Sequence, residues 1–181
     1  MSDPAFIFLQ CNSDLLAQCH IVVDVGAIYD PTTHRYDHHQ REFDGVLEGY
    51  QTKLSSAGLI YKHFGKDVLR EILKDEDSAP PSEELVDICY HKVYKGFMEH
   101  IDAIDNGISV AESPSRYHVS TTLSDRIHLL SPAWNEAQTP AILNDRFRYA
   151  MQTTLSELLL VIKSFFLLSN TNYYIFFGFL N

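Results

Sequence analysis

The chain has 181 residues, which is the size of one ordinary domain and is long enough to bury a core. Hydrophobic residues make up 45% of the sequence and charged residues 21%, as in most globular proteins. The formal net charge of −10 argues against a module that holds nucleic acid on a basic surface, because contacts to phosphates need Lys and Arg. It does not exclude an enzyme that acts on phosphate esters, since ligand carboxylates contribute to that charge and bound cations offset it locally.

The cysteines and the first residues bear on the compartment of the protein. Cys11, Cys19 and Cys89 are odd in number and form no CxxC pair, which indicates a reducing compartment rather than a disulfide framework. Residues 1–10 show neither the pattern of a signal peptide nor that of a mitochondrial transit peptide. A nucleocytoplasmic location is consistent with both features.

Two short strands are predicted in the first part of the chain. The run at 20–25, His-Ile-Val-Val-Asp-Val, is apolar and rich in β-branched residues, and Gly26 closes it, which is typical of a buried strand in a parallel sheet. Asp24 lies near the carboxyl end of this strand, where open α/β sheets place their sites. A second strand is predicted over 34–37, after the turn-like sequence at 30–32.

Helices are predicted over most of the remaining chain. Apolar and small residues recur at helical spacing over 51–64, and a further helix is predicted over 66–73. Ser82, followed by two glutamates, predicts the start of a long helix. Asn106-Gly107 fits a left-handed cap at the end of that helix, and a last helix is expected to begin around Ala141.

The C-terminal segment differs in composition from the rest. Residues 158–180 read LLLVIKSFFLLSNTNYYIFFGFL, and Lys163 and the polar run 169–172 interrupt this apolar sequence. A membrane-spanning helix needs about 20 mostly apolar residues without such an interruption, so we do not expect a span. We interpret the segment as an atypical tail that exposes apolar surface and promotes association. The predicted organisation is one partial domain over 1–157 followed by a tail over 158–181.

Three acidic elements are candidates for a divalent-metal centre. They are Asp24 at the first strand, the triplet Asp37-His38-His39 after the second strand, and Asp105 at the end of the long helix. Carboxylates and imidazoles together suit Mn²⁺, Zn²⁺ or Fe²⁺ better than a calcium site built only from oxygen. In an extended segment alternate side chains point to opposite faces. His38 is therefore expected to bind metal, while Asp37 and His39 orient a ligand or meet a substrate phosphate.

Each of these residues also has an ordinary structural explanation. Asp24 would bond loop amides, and the triplet would be a solvated polar turn. Asp102 and Asp105, three apart on the helix, would form a solvated acidic face. An unpaired carboxylate in an apolar strand is costly to bury, but for Asp24 alone the two explanations are equal. We favour the metal centre because the Asp-His-His triplet follows about twelve residues later. Asp105 is preferred to Asp102 because a carboxylate at a helix C-terminus opposes the macrodipole, which a nearby cation would offset.

Four further residues are candidates for contact with a substrate. Arg41 follows the triplet, Lys53 lies near the start of the next helix, and Arg116 and His118 lie in a polar segment farther along the chain. Their side chains can bond phosphate oxygens. Ordinary surface positions, and the usual polarity of a helix start, explain them equally well.

Six strings follow one another along the chain, namely VVDVG, RYDHHQREF, QTKLSSAGLIYKHFG, HIDAIDNGIS, TTLSDRI and LSPAWN. Together they resemble the melanocyte-proliferating-gene exonuclease family, a eukaryotic branch related to the DHH phosphoesterases. The resemblance runs from about residue 15 to about residue 158. It implies an α/β fold with a DHH-phosphoesterase-like parallel sheet flanked by helices, and a metal-dependent 3′–5′ exonuclease that acts on RNA in the nucleus and mitochondrion. It also implies a centre of two Mn²⁺ ions, with Mg²⁺ as the alternative metal and no small organic cofactor.

The resemblance also implies a role for each candidate site residue. Asp24 would bridge two metal ions, His38 would be a metal ligand, and Asp105 would bind the second ion. His39 would be the catalytic or substrate-facing group, with Asp37 as its supporting member.

The sequence departs from the family pattern at both ends. Family members begin with a motif of the type His-Asn-Gly-x-Phe-His-x-Asp-Glu, which supplies further ligands and which nothing here matches. Beyond residue 158 they continue into a substrate-binding part. We therefore expect a truncated chain with an incomplete sheet, an open sheet edge and weak or no nuclease activity. The alternatives are a hydrolase of small phosphate esters and a non-catalytic protein that associates with itself through the tail or the open edge.

Overall fold

The computed structural model describes residues 13–74, 80–113 and 116–170, with side chains up to residue 166. Within these ranges the protein is mixed α/β, with a small three-stranded sheet and a larger set of helices. The elements in chain order are α1 (Ser13–Leu16), β1 (Val22–Val23), β2 (Tyr29–Asp30), β3 (Arg35–Tyr36), α2 (Ser56–Leu73), α3 (Glu83–Val93), a π-helical turn (Tyr94–Met98), α4 (Glu99–Asp105), α5 (Leu123–His128) and α6 (Pro140–Asn170).

The sheet is mixed, with strand order β1-β3-β2. β1 runs parallel to β3, with Val22 opposite Arg35, and β2 runs antiparallel to β3, with Tyr29 opposite Tyr36. The prediction of a parallel sheet is therefore correct for β1 and β3 and wrong for β2. Within the described residues β1 and β2 are the two edges of the sheet.

The buried strand predicted over 20–25 is too long. β1 contains only Val22 and Val23, and of these Val22 is buried while Val23 is exposed, as is the preceding Ile21. The strand ends because Asp24 and Gly26 have φ values of +66° and +94°, outside the extended region. The predicted second strand is confirmed as β3.

α2 is one helix where two were predicted. It begins at Ser56, because Ser55 caps it by accepting a hydrogen bond from the Gly58 amide, and it continues through Gly65. The residues before it are not helical, since Lys53 instead pairs with Val46 in an antiparallel bridge. The prediction over 51–64 therefore placed the start of the helix too early.

The long helix predicted after Ser82 is confirmed, with the π-helical turn between α3 and α4. The Ser82 hydroxyl accepts a hydrogen bond from the Leu85 amide and so caps α3. At the other end Gly107 has a φ of +67°, and its amide donates to Ile104. The Ile108 amide donates to Ala103, which completes a Schellman motif and confirms the predicted left-handed cap.

The core lies between α2, α3, the π-helical turn and the C-terminal half of α6. α6 runs without a break across the predicted boundary between residues 157 and 158. Ile162 is buried, and Phe165 packs so closely on Gly96 that a β-carbon there would lie 2.9 Å from the ring. The apolar residues of 158–166 that pack on the core are Leu158, Val161, Ile162, Phe165 and Phe166, whereas Leu160 is exposed. Residues 171–181 of the predicted tail lie outside the described ranges. Every helix of the described ranges falls short of what a membrane crossing requires.

Candidate metal centre

Asp24 lies at the carboxyl end of β1, as predicted. Its amide donates to the Tyr36 carbonyl across the sheet, and its backbone then turns into the left-handed region, which Asp tolerates better than most residues. This turn leaves the carboxylate 61% exposed, with Oδ1 3.7 Å from Nδ1 of His38. Asp24 is thus an accessible carboxylate beside a buried imidazole.

Asp37 is a buried carboxylate whose oxygens are both used within the protein. Oδ2 accepts the Ala27 amide at 2.7 Å, and Oδ1 accepts the backbone amide and Nδ1 of His39 at 3.1 and 2.6 Å. Burial raises the pKa of this carboxyl group, but the hydrogen bonds from His39 and Ala27 outweigh it and lower the pKa below its usual value. Ala27, which donates this bond to Oδ2, has a φ of +51°, a strained conformation for a residue with a β-carbon.

His39 is the exposed partner of Asp37. Its hydrogen bond to Asp37 raises the pKa of the imidazole despite an opposing effect of burial, and the negative charges of Asp37, Asp24 and Asp105 raise it further. Because Nδ1 is bonded to Asp37, Nε2 is the nitrogen that can meet a ligand or a phosphate. Asp37 is therefore placed to orient His39 rather than to touch a substrate itself.

The triplet does not alternate between two faces as predicted. The rings of His38 and His39 lie side by side, with centroids 4.2 Å apart and planes inclined by 36°. Asp37 and His39 also contact each other directly. The prediction was wrong because β3 ends at Tyr36, so the alternation of a strand does not extend into the triplet.

His38 is a buried imidazole held by the first residue of α2. The Ser56 amide donates to Nδ1 at 3.1 Å, and the Ser56 hydroxyl lies 2.9 Å from the same atom. A backbone N–H can only donate, so Nδ1 accepts and the neutral ring carries its proton on Nε2. An ion at Nε2 needs the opposite tautomer, in which Nδ1–H would donate to the Ser56 hydroxyl.

Asp105, at the end of α4, faces the other side of this ring. Its Oδ2 lies 3.3 Å from Nε2 of His38, and the carboxylate is 49% exposed. Two ligand atoms about 2.1 Å from one ion lie roughly 3.0–3.4 Å apart, depending on the coordination geometry. The His38–Asp105 pair therefore has the spacing of two ligands of a single ion.

Asp102, the alternative to Asp105, is fully buried and points away from solvent. Its oxygens accept hydrogen bonds from the amide and hydroxyl of Ser55 and from the Tyr94 hydroxyl. These bonds use the carboxylate inside the protein. Asp102 is thus bonded inside the protein, whereas Asp105 is accessible beside the His38 ring, and the choice of Asp105 as a ligand stays a prediction.

Together these side chains form a group that can hold a divalent cation. One donor atom each from Asp24, Asp37, His38 and His39 lies within 4.8 Å of all the others, and Asp105 adjoins His38. Among the residues that the structure describes, these carboxylates form ion pairs with the histidines and with no Lys or Arg. Mixed oxygen and nitrogen donors with uncompensated negative charge fit Mn²⁺, Fe²⁺ or Zn²⁺.

Among the described residues, the side chains predicted to contact a substrate do not bond to the cluster of aspartates and histidines. The Lys53 carbonyl accepts a hydrogen bond from Asn106, next to Asp105, but its ammonium lies over the Phe43 ring at 5.6 Å. Arg41, Arg116 and His118 are exposed, and within the described ranges none of the three bonds to the cluster. His118 instead lies near Asp125 of α5, where it helps to lower the pKa of that carboxyl group after the larger effect of the Thr122 hydrogen bonds.

The contact of Ser56 with His38 was not predicted from the sequence. The serine pair at the start of α2 signals a helix cap, but its contact with His38 joins residues 18 apart along the chain and has no local pattern. The burial of Asp102 was also missed, because it depends on a contact with Ser55 across 47 residues.

Comparison with known proteins places the chain among relatives of known sequence. The model of an uncharacterised protein family, MYG1_exonuc (UPF0160), matches residues 4–173. The MYG1 exonuclease of Mus musculus is 46% identical over 157 residues, which is 82% of this chain and 39% of the mouse protein. The human MYG1 exonuclease is 50% identical over 133 residues, or 68% of this chain and 34% of its own length.

A nematode relative is similar to this chain as well. The MYG1 protein C27H6.8 of Caenorhabditis elegans is 44% identical over 142 residues, covering 76% of this chain and 40% of the worm protein. The chain thus spans well under half the length of these curated relatives. No solved structure matches it significantly. The family model covers most of the chain, and the mouse and human relatives are 46% and 50% identical to it. This chain therefore belongs to the MYG1 exonuclease family.

Proposed function

We propose that this chain carries part of the divalent-metal centre of a metal-dependent RNA exonuclease. The observation that carries the proposal is the 3.3 Å approach of His38 Nε2 and Asp105 Oδ2, which come from distant parts of the chain. Asp24 and His39 lie beside this pair. The word exonuclease in the names of the mammalian relatives supports hydrolysis of a nucleic acid. RNA as the polymer, 3′–5′ polarity, and location in the nucleus and mitochondrion rest on the family resemblance alone.

In this proposal His38 and Asp105 hold the ion, with Asp24 as a further carboxylate. We favour Mn²⁺, with Mg²⁺ as the alternative, because a set of carboxylates and imidazole suits Mn²⁺, whereas Mg²⁺ prefers oxygen ligands. A divalent ion, when bound, supplies Lewis-acid activation of water and neutralises charge on the phosphodiester. Since His38 is buried and held by Ser56, its Nε2 has a fixed position toward Asp105.

His39 is the residue that we propose for proton transfer. The raised pKa keeps a larger fraction of the imidazole protonated near neutral pH, and Asp37 fixes the ring through Nδ1. The proton on Nε2 can then pass to the leaving oxygen of the phosphodiester or bond a phosphoryl oxygen. Asp37 acts through His39 as a positioning residue.

The number of available ligands sets the expected activity of this chain. Among the described residues, Asp24, His38 and Asp105 are too few to complete two metal sites, each of which needs several protein ligands. We therefore propose that the chain by itself binds one ion well and hydrolyses RNA weakly.

The test is Mn²⁺ binding by calorimetry on the full 181-residue chain, followed by digestion of 5′-labelled RNA. His38→Ala and Asp24→Ala should each weaken Mn²⁺ binding at least tenfold and slow the shortening of the RNA. His128→Ala, on α5, is the matched control and should change neither. A folded wild-type chain that binds no Mn²⁺, or a His38→Ala variant that binds it normally, would refute the proposal.

The same assay separates RNA from small phosphate esters as substrates. Contacts to a nucleic-acid backbone release counterions, so digestion of RNA should slow steeply as salt rises. Hydrolysis of a small ester with little dependence on salt, in the absence of any RNA digestion, would replace RNA by that substrate class.

A further inference from the structure

The starting observation is a buried carboxylate beside the metal centre that takes no part in it. Asp102 has no exposed surface, and its Oδ1 accepts both the amide and the hydroxyl of Ser55, at 2.9 and 2.7 Å. Its Oδ2 accepts the Tyr94 hydroxyl at 2.9 Å. The carboxylate also lies at the N-terminus of α2, where the helix macrodipole favours negative charge.

These bonds connect Asp102 to His38 through two residues. Ser55 is the N-cap of α2, and the next residue, Ser56, places its amide 3.1 Å and its hydroxyl 2.9 Å from Nδ1 of His38. Asp102 therefore fixes the cap, and the cap fixes the residue that holds the imidazole. All four residues are buried.

We propose that Asp102 and Ser56 are positioning residues for His38. Asp102 holds the first turn of α2 so that Ser56 keeps Nε2 of His38 directed at Asp105. Ser56 also supplies the acceptor that the ring needs once Nε2 is occupied. The inference rests on the proposed function in taking His38 as a metal ligand, while the position of the ring can be tested without a metal.

Neither the capping of α2 nor the position of the metal-free His38 ring requires the Ser56 hydroxyl. The helix is already capped by Ser55, and the Ser56 amide alone would hold the ring in the metal-free tautomer. With an ion on Nε2 the proton moves to Nδ1, which then faces an N–H donor that it cannot bond. The hydroxyl at 2.9 Å can accept that proton, as second partners of metal-binding histidines commonly do.

The experiment compares Mn²⁺ affinity, measured by calorimetry, and thermal stability for four variants of the full chain. Ser56→Ala leaves the cap in place and should weaken Mn²⁺ binding by about 10- to 100-fold with little change in stability. Asp102→Ala should weaken binding similarly. Asp102→Asn should restore it, because the amide oxygen still accepts from Ser55 and the amide nitrogen can donate to the Tyr94 hydroxyl.

Ser82→Ala is the matched control, since it removes an equivalent cap from α3 without touching His38. It should lower stability and leave Mn²⁺ affinity unchanged. Wild-type affinity in Ser56→Ala, or an equal loss of affinity in Ser82→Ala, would overturn the proposal.

A metal-free readout separates this inference from the proposed function. Long-range ¹H–¹⁵N spectra of the wild-type chain should show His38 as the Nε2–H tautomer, and Asp102→Ala should show a mixture of tautomers. A wild-type chain that binds no Mn²⁺ but shows this difference would refute the proposed function and retain the positioning role. An Asp102→Ala spectrum identical to the wild-type spectrum would refute the positioning role.

Discussion

Replacing Gly58 by Ala should destabilise the protein, although the same change inside a helix usually stabilises it. Gly58 lies in the first turn of α2, directly against the carboxylate of Asp102. A β-carbon at this position would overlap Oδ1 and lie 2.6 Å from Oδ2. The carboxylate cannot easily move away, because Ser55 and Tyr94 hold both of its oxygens.

The expected magnitude is the sum of three effects. Forcing an extra carbon into a well-packed site costs about 1–3 kcal/mol. Pulling Asp102 away from Ser55 or Tyr94 leaves a buried polar group with one bond fewer, which costs about 1–3 kcal/mol more. The higher helix propensity of Ala returns at most about 1 kcal/mol. The net loss is about 1–5 kcal/mol, which corresponds to a fall in Tm on the order of 2–20 °C for a chain of this size.

The assay is urea unfolding at 25 °C, with the double variant Gly58→Ala/Asp102→Ala as the diagnostic. Removing the Asp102 carboxylate makes room for the new β-carbon, so the double variant should be more stable than the sum of the single losses predicts, by about 0.5–3 kcal/mol. Ala57→Gly at the exposed neighbouring position measures the propensity effect alone. A Gly58→Ala variant as stable as the wild type, or strict additivity with Asp102→Ala, would refute the close contact.

Three further predictions concern titration and backbone conformation. Burial raises the pKa of Asp102 above its ordinary value of 3.8 and outweighs the hydrogen bonds that lower it, so the folded chain holds this proton more tightly than the unfolded chain. The unfolding free energy of the wild type minus that of Asp102→Asn should therefore fall as the pH rises above about 3.8, and a flat difference in urea titrations would contradict this. Asp37→Asn should lower the pKa of His39 toward 6.5 in NMR titrations of the metal-free chain, and by more than Asp24→Asn does. Gly107→Ala should cost about 1–2 kcal/mol in thermal unfolding, because its φ of +67° is unfavourable for a residue with a β-carbon, and Gly107→Asn should cost less.

Features of the fold that depend on local chemistry were predictable from the sequence. A serine that accepts a backbone amide and a glycine that adopts positive φ act within a few residues, so Ser82 and Gly107 marked the ends of the long helix. Two-residue strands are too short to show any periodicity, so β2 and the mixed character of the sheet were missed. The start of α2 was misplaced because the bridge between Val46 and Lys53, a tertiary contact, overrides the helical spacing before Ser55.

The residues of the candidate site were also predictable from the sequence in part, whereas their contacts were not. Asp24, His38 and Asp105 were identified from residue types and from the family pattern, and the structure brings them together. Which nitrogen of His38 faces Asp105 depends on Ser56, and the pairing of Asp37 with His39 depends on how the backbone turns after β3. No sequence period encodes either arrangement.

A single turn of α4 accounts for much of the geometry of the site. Asp102 and Asp105 are three residues apart, so both lie on the side of the helix that meets α2 and the triplet. The first carboxylate points inward and binds the cap of α2, which holds Ser56 against Nδ1 of His38. The second is half exposed and lies against Nε2 of the same ring. One turn of α4 thus positions both nitrogens of the His38 imidazole. Asp102 acts on Nδ1 through Ser55 and Ser56, and Asp105 lies directly against Nε2. A shift of α4 relative to α2 would disturb both contacts together, which is why the packing around Gly58 bears directly on the candidate metal centre.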